Sequence, residues 1–151
     1  MYLDDSVSYI PTALKVDLNK TIEQLEGKVY PVVTDSTNLV LKITSLRKKR
    51  LSDFTIEDLR ICIGQDEGLT YLVPLAIEQL KENILAEGDC YEGDLLISVL
   101  RLDKNFWLAN KDSWKTVKQL YEEKHQQILE GTEGDKKFDK EFREFSLIHK
   151  E

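Results

Sequence analysis

The stretch Leu-Thr-Tyr-Leu-Val-Pro-Leu-Ala-Ile-Glu-Gln-Leu-Lys-Glu-Asn-Ile, residues 69–84, decides the fold class. Leu69, Leu72, Val73, Ala76, Ile77, Leu80 and Ile84 recur at the three- and four-residue intervals of one helical face, and Leu85 extends it. Pro74 has no amide hydrogen, so it must fall in the first turn or leave a kink. Gly88 breaks the run. A helix of this length is marginal alone, so its apolar face needs other elements to cover it.

The same period recurs on both sides. Asp94 opens a short helix with Leu95, Leu96, Val99, Leu100 and Leu102, apolar over more than half its circumference and therefore central. Phe106 and Trp107 fall in the following turn. Asp112 or Ser113 then caps a long helix that carries Trp114, Val117, Leu120, Tyr121 and Ile128 on one face. The stretch 131–137 is polar and reads as a loop. Phe138, Phe142, Phe145 and Ile148 follow at helical spacing, in a segment 131–151 that either packs back on the body or is a loosely attached tail. Towards the N-terminus, Thr55 is an N-cap, with Glu57 and Asp58 in the first turn where carboxylates meet free amides. Leu59, Cys62 and Ile63 face inward, and Gly64 ends that helix. Ser36 caps another helix, with Leu39, Val40, Ile43 and Leu46 as its apolar stripe. Leu18, Ile22 and Leu25 form a short face closed by Gly27, and Val7 to Pro11 reads as an extended arm. The expectation is an all-α fold of six or seven helices, several of them short, in one domain over 1–151. The alternative is an α+β protein with strands at Val29–Val33, Leu39–Ile43 and Phe138–Phe145.

The chain has 151 residues, enough for one ordinary hydrophobic core. It carries 21 basic and 28 acidic residues, a net charge of -7. The excess is concentrated: residues 51–100 hold 11 acidic side chains against Arg60 and Lys81. Such a surface repels nucleic acid and anionic membrane and attracts a basic protein partner. Arg47-Lys48-Lys49-Arg50 is the one basic block. It is short, lacks interleaved aromatics and reads as a favourable helix C-terminus. No apolar run approaches the roughly 18 to 20 residues that span a bilayer. Met1 to Ser8 carries two aspartates and lacks the basic start of a signal peptide. A cytoplasmic protein, with neither a membrane nor a nucleic acid as partner, is expected.

Enzyme signatures are missing: the chain has no glycine-rich phosphate loop, no HExxH and no GxSxG. Cys62, Cys90, His125 and His149 match no zinc or redox spacing, and both thiols are expected reduced, Cys62 in the core. No metal or cofactor is implied. Gly64-Gln65-Asp66-Glu67-Gly68 reads as a polar turn with a capping role, without the ligand spacing of a calcium loop. Glu87, Asp89, Glu92 and Asp94 gather around Gly88 and Gly93. Paired carboxylates hydrolyse glycosides when burial raises one of them, but in a polar glycine loop they stay ionised. A solvated loop or a partner-binding loop fits them better. His125 reads as a solvent-facing helix residue. Trp107 and Trp114 read as core anchors, the alternative being a binding hot spot.

The run Leu51 to Gln65, with EDLR and a Gly-Gln pair, continues through Gly68 to Ala76 with its PLA. Leu85 to Asp89, Tyr91 to Leu96, Val99-Leu100 and Phe106-Trp107 complete a pattern of GD…GDLL at set spacing. Over roughly residues 36 to 115 this chain resembles the contact-dependent growth inhibition (CDI) immunity proteins, the family called CdiI. Where the family pattern carries prolines around the acidic loop, this chain has Ile84 and Glu92, which leaves the loop less rigid. The resemblance implies a small bacterial cytoplasmic antitoxin. Such a protein binds, without catalysis, the C-terminal toxin domain of a large secreted effector, in many cases a nuclease. A cognate toxin domain of basic surface is therefore the expected partner, with a monomeric inhibitor. The family has no catalytic residues to carry over. Charge and loop position select Asp89, Glu92 and Asp94 as first contacts, then Asp66, Glu67 and Glu87. If the signature positions only maintain the scaffold, contacts shift to Glu122, Glu123, Asp139 and Glu141. The rival readings are an acidic cytoplasmic adaptor and a small carboxylate-dependent hydrolase.

Overall fold

Covering the 69–84 face organises the chain. The computed structural model describes residues 16–31 and 36–149. The described residues form nine α-helices: α1 (Ile22–Glu26), α2 (Asn38–Leu46), α3 (Ile56–Gly64), α4 (Leu69–Glu82), α5 (Asp94–Leu100), α6 (Lys104–Ala109), α7 (Lys111–Glu123), α8 (His125–Gly131) and α9 (Lys136–Ser146). A 3-10 turn at Leu51–Asp53 precedes α3. There is no strand among the described residues, only an isolated bridge between Thr21 and Arg50. The fold is all-α. Two of the three segments of the strand alternative are helical, Leu39–Ile43 within α2 and Phe138–Phe145 within α9. Val32 and Val33 of the third, like the arm at Val7 to Pro11, lie outside the described residues.

Leu72, Val73, Ala76, Ile77 and Leu80 of α4 are buried, and Ile84 and Leu85 continue the face beyond the helix end. The helix runs through Pro74, which forgoes one bond of the backbone ladder. α5 is buried almost all round and sits at the centre, against α3, α4 and α9, while α7 covers α4. Thr55 and Asp58 form the reciprocal capping box at the start of α3. Thr37, rather than Ser36, caps α2. Only Ile43 and Leu46 of the expected α2 stripe turn inward.

Three boundaries differ from the periodicity reading, and two of them add a helix. Trp107, fully buried, belongs to a helix of its own, α6, rather than to a turn. Asn110, rather than Asp112 or Ser113, precedes α7. The expected long helix divides at Lys124 into α7 and α8, which brings Ile128 into the core. Gly131 then packs on Leu85, whose side chain would collide with any Cβ there.

The C-terminal helix packs back on the body. Phe138 and Phe145 are 2% and 1% exposed, so α9 is part of the core. Trp114 donates its indole N–H to the Phe145 carbonyl at 2.9 Å, and Trp107 meets the Phe145 ring edge-on at 5.2 Å. Tyr121 stacks on Phe142 at 4.0 Å. Both tryptophans are the core anchors expected. The polar side chains that made the segment look loose occupy its outer face, and its phenylalanines share the inner one. Truncating a buried phenylalanine costs about 3–5 kcal/mol, against a total stability of about 5–15 kcal/mol. Deleting residues 136–151 should therefore abolish the cooperative urea transition followed by circular dichroism.

Candidate functional site

The loop that carries Glu87 to Asp94 is built around one buried carboxylate. Asp94, the first residue of α5, is 2% exposed. Its Oδ1 accepts the Gly88 N–H at 2.7 Å, and its Oδ2 accepts those of Cys90 at 3.0 Å and Tyr91 at 3.3 Å. The Asp89 N–H goes to Glu57 Oε1 at 2.7 Å. Two carboxylates from two helices thus receive four consecutive amides. Arg60 joins them, donating to Glu57 from Nε at 2.7 Å and lying 3.7 Å from Asp94. The hydrogen bond from Arg60 holds Glu57 below the usual carboxylate range, against the burial that would raise it. Close approach enforces the glycines. A Cβ at Gly88 would stand 2.5 Å from Glu57 Oε1, and one at Gly93, where φ is +87°, would stand 2.7 Å from the Phe138 ring. Lys137 of α9 lies over the Tyr91 ring at 3.6 Å and braces the loop from outside.

The second acidic turn closes α3. Asp66 N–H reaches the Ile63 carbonyl at 3.1 Å, and Glu67 N–H reaches that of Cys62 at 2.9 Å. This is the Schellman arrangement, with Asp66 at φ +57° where glycine is usual. A non-glycine residue in this left-handed region is strained by about 1 kcal/mol. Behind the turn stands Arg47, fully buried. It bonds Glu67 and Glu26 at 2.8 Å and the Lys28 carbonyl at 2.9 Å, and its guanidinium lies 3.9 Å from the Tyr30 ring. Tyr30 donates its hydroxyl to the same Glu67 oxygen at 2.7 Å. The other cations of the basic block are also matched: Lys48 with Glu23, Lys49 with Asp58 and Arg50 with Asp53. The block serves the fold and offers no array of free cations.

Between the two acidic segments runs a groove of about 470 Å³, floored by Ile63, Ile97 and Leu102. Asp66 of the α3 turn, Cys90 and Tyr91 of the loop, and Asp103 are among the residues that line it. Arg60 and Arg101 also line it, each neutralised by a partner, Glu57 and Glu141 respectively. Asp89, Glu92 and Glu87 are exposed on the adjoining loop. None of these three, nor Asp66, meets a cation among the described residues.

The structure therefore sorts the sequence candidates. Asp66 and the 87–94 loop come together at one groove, with Asp89, Glu92 and Glu87 facing solvent. Asp94 and Glu67 are held internally and build the surface rather than presenting charge on it. The reserve candidates have partners of their own: Glu122 with Lys118, Glu123 with Gln119, Asp139 with Tyr121 and His125, and Glu141 with Arg101. His125 is half-buried, 3.0 Å from Asp139, rather than simply solvent-facing. Asp103 and Cys90 are groove residues that charge reasoning missed. Asp103 caps α6 through the Asn105 N–H at 2.7 Å, a signal readable only once that short helix is recognised. Among the described residues no three His, Cys, Asp or Glu side chains stand close enough to hold a metal ion.

A family model described as CDI immunity proteins matches residues 17–117, more than half of the chain. The chain belongs to the CDI immunity protein family. No curated protein and no solved structure matches it. In this immunity protein the matched span contains α1 to α6, both acidic segments and the groove, and it stops within α7. The helix that braces the loop, α9, lies beyond it. No helix among the described residues is long and apolar enough to cross a membrane.

Two outcomes follow from this geometry. Asp94→Ala strands three amides and should lower unfolding stability in urea by about 3 kcal/mol or more, while Asp89→Ala, at an exposed side chain, should change it by less than about 0.5 kcal/mol. The thiols should separate as sharply. Cys90 is exposed, whereas Cys62 is buried and its pKa is pushed up to about 12 by that burial. A chromogenic disulfide reagent should titrate one thiol in the native protein and the second only in guanidinium chloride.

Proposed function

We propose that this immunity protein neutralises its cognate toxin domain by laying the acidic groove and the 87–94 loop over a basic, phosphate-binding surface of the toxin. The observation that carries the reading is an uncompensated carboxylate in the groove, Asp66, beside a bordering loop that exposes Asp89 and Glu92, in a stretch of strongly negative charge. A nuclease holds phosphates with cationic side chains, so an inhibitor gains both rate and specificity from opposite charge. The action is blockade without chemistry. Glu57 and Asp94 are enclosed as acceptors of backbone amides, and Glu57 is displaced in the direction opposite to that of a general acid. The reading is of a cytoplasmic, monomeric inhibitor that needs no cofactor.

The strain at Asp66 supports a role for its carboxylate, because glycine would suit the backbone better there. The test is calorimetry of the full chain with the toxin domain encoded immediately upstream of its gene, at two salt concentrations. Nanomolar binding that weakens about tenfold or more at high salt is expected. Asp66→Gly should raise stability by up to about 1 kcal/mol while weakening toxin binding. An absence of binding overturns the function. Tight binding without a salt response overturns the electrostatic mechanism.

A further inference from the structure

Leu39, Val40 and Leu41 are consecutive on α2 and 44%, 49% and 47% exposed. The described residues hold only three other large apolar side chains so exposed, and one of those, Val29, adjoins Tyr30. The periodicity of α2 places Leu39 and Val40 on the inward stripe. Instead, with Tyr30 and Ile43, they line a shallow groove of about 200 Å³ whose remaining wall includes Gln65 and Glu67. Glu67 is already held by Arg47 and Tyr30, so the charge beside this groove is compensated and the site suits a neutral side chain.

The wall has two sides. Gln65 and Glu67 face the α2 groove, and Asp66 between them faces the acidic groove. The two grooves therefore adjoin across a three-residue ridge. A specific protein partner covers about 800 Å² on each side, more than one groove of this size offers, and binding energy concentrates in apolar anchors ringed by polar groups. We propose that the exposed face of α2 is the second half of the toxin interface. It receives an apolar side chain of the toxin domain, flanked by basic residues that reach Asp66 across the ridge. This inference rests on the function proposed above. It divides the work: the acidic groove governs encounter, and α2 governs release.

The test pairs two variants of the full chain, Leu39→Gln/Val40→Gln and Asp66→Asn, against the same toxin domain. The α2 double variant should lose about 30-fold or more in affinity, chiefly through faster dissociation, with an unchanged salt slope and an unchanged urea midpoint. Asp66→Asn should instead slow association and flatten the salt slope. Wild-type affinity in the α2 double variant overturns the inference and leaves the immunity function standing. A lowered urea midpoint overturns it as well, since the face is then covered by the chain's own residues. So does a wild-type dimer that the double substitution dissolves, since the occupant is then a second copy. If the wild type does not bind the toxin domain, the function itself fails.

Discussion

The carboxylate of Asp94 is the constraint on which the site depends. A buried charge is tolerable only when its lone pairs are filled, and here three loop amides fill them while a guanidinium 3.7 Å away balances the charge. Satisfying that charge folds residues 88–91 back over the start of α5. Glu57 then takes the remaining amide, which ties the loop to α3 as well. Two helices far apart in sequence are thus joined through backbone they do not contain. The exposed carboxylates of Glu87, Asp89 and Glu92 take their positions from this scaffold. The residues that make the family pattern conspicuous, EDLR and GD…GDLL, are largely the ones that build the loop.

Formal charge and available charge differ in this protein. The densest cationic block is matched cation for cation by carboxylates, with Arg47 buried completely. Several acidic residues are likewise consumed, among them Glu26, Glu57, Asp58, Glu67 and Asp94. The negative potential felt by a partner comes from the remainder, among them Asp66 in the groove and Glu87, Asp89 and Glu92 on the loop that borders it. A surface of this kind steers a cationic partner over distances of about a Debye length, roughly 8–10 Å at moderate salt. Apolar contact on α2 would add the slower, salt-independent part of binding. The ridge 65–67 stands between the two contributions, held in shape by the Schellman closure of α3 and by Arg47 beneath it.

Helical content and the central place of α5 are readable from spacing alone, because apolar residues at a 3.6-residue period line up on one side of a helix and scatter over both faces of a strand. So is the capping box at Thr55. The two acidic segments stand out by charge and glycine content, although their members do not separate by function in the sequence. Asp94 and Glu92 look alike there. One becomes a buried acceptor and the other a surface charge, because only the position at the start of α5 points into the amides of the loop. The boundaries at α6 and Lys124 are hidden for a related reason: a short helix and a bend both preserve apolar spacing.

Local period and composition are enough to set the helical class, the stripe that forms the core, the excess of negative charge in residues 51–100 and the family pattern. Those properties survive without knowledge of neighbours. Packing alone decides that residues 136–146 belong to the core, that Arg47 is buried, that Leu39 and Val40 are left outside and that Asp66 shares a groove with the 87–94 loop. Each depends on which surface lies opposite, and that is set by the contacts of α3, α5 and α9 across long stretches of chain. An amphipathic stripe says that a face will be covered. Only the partner helix says which residues of the stripe the cover reaches.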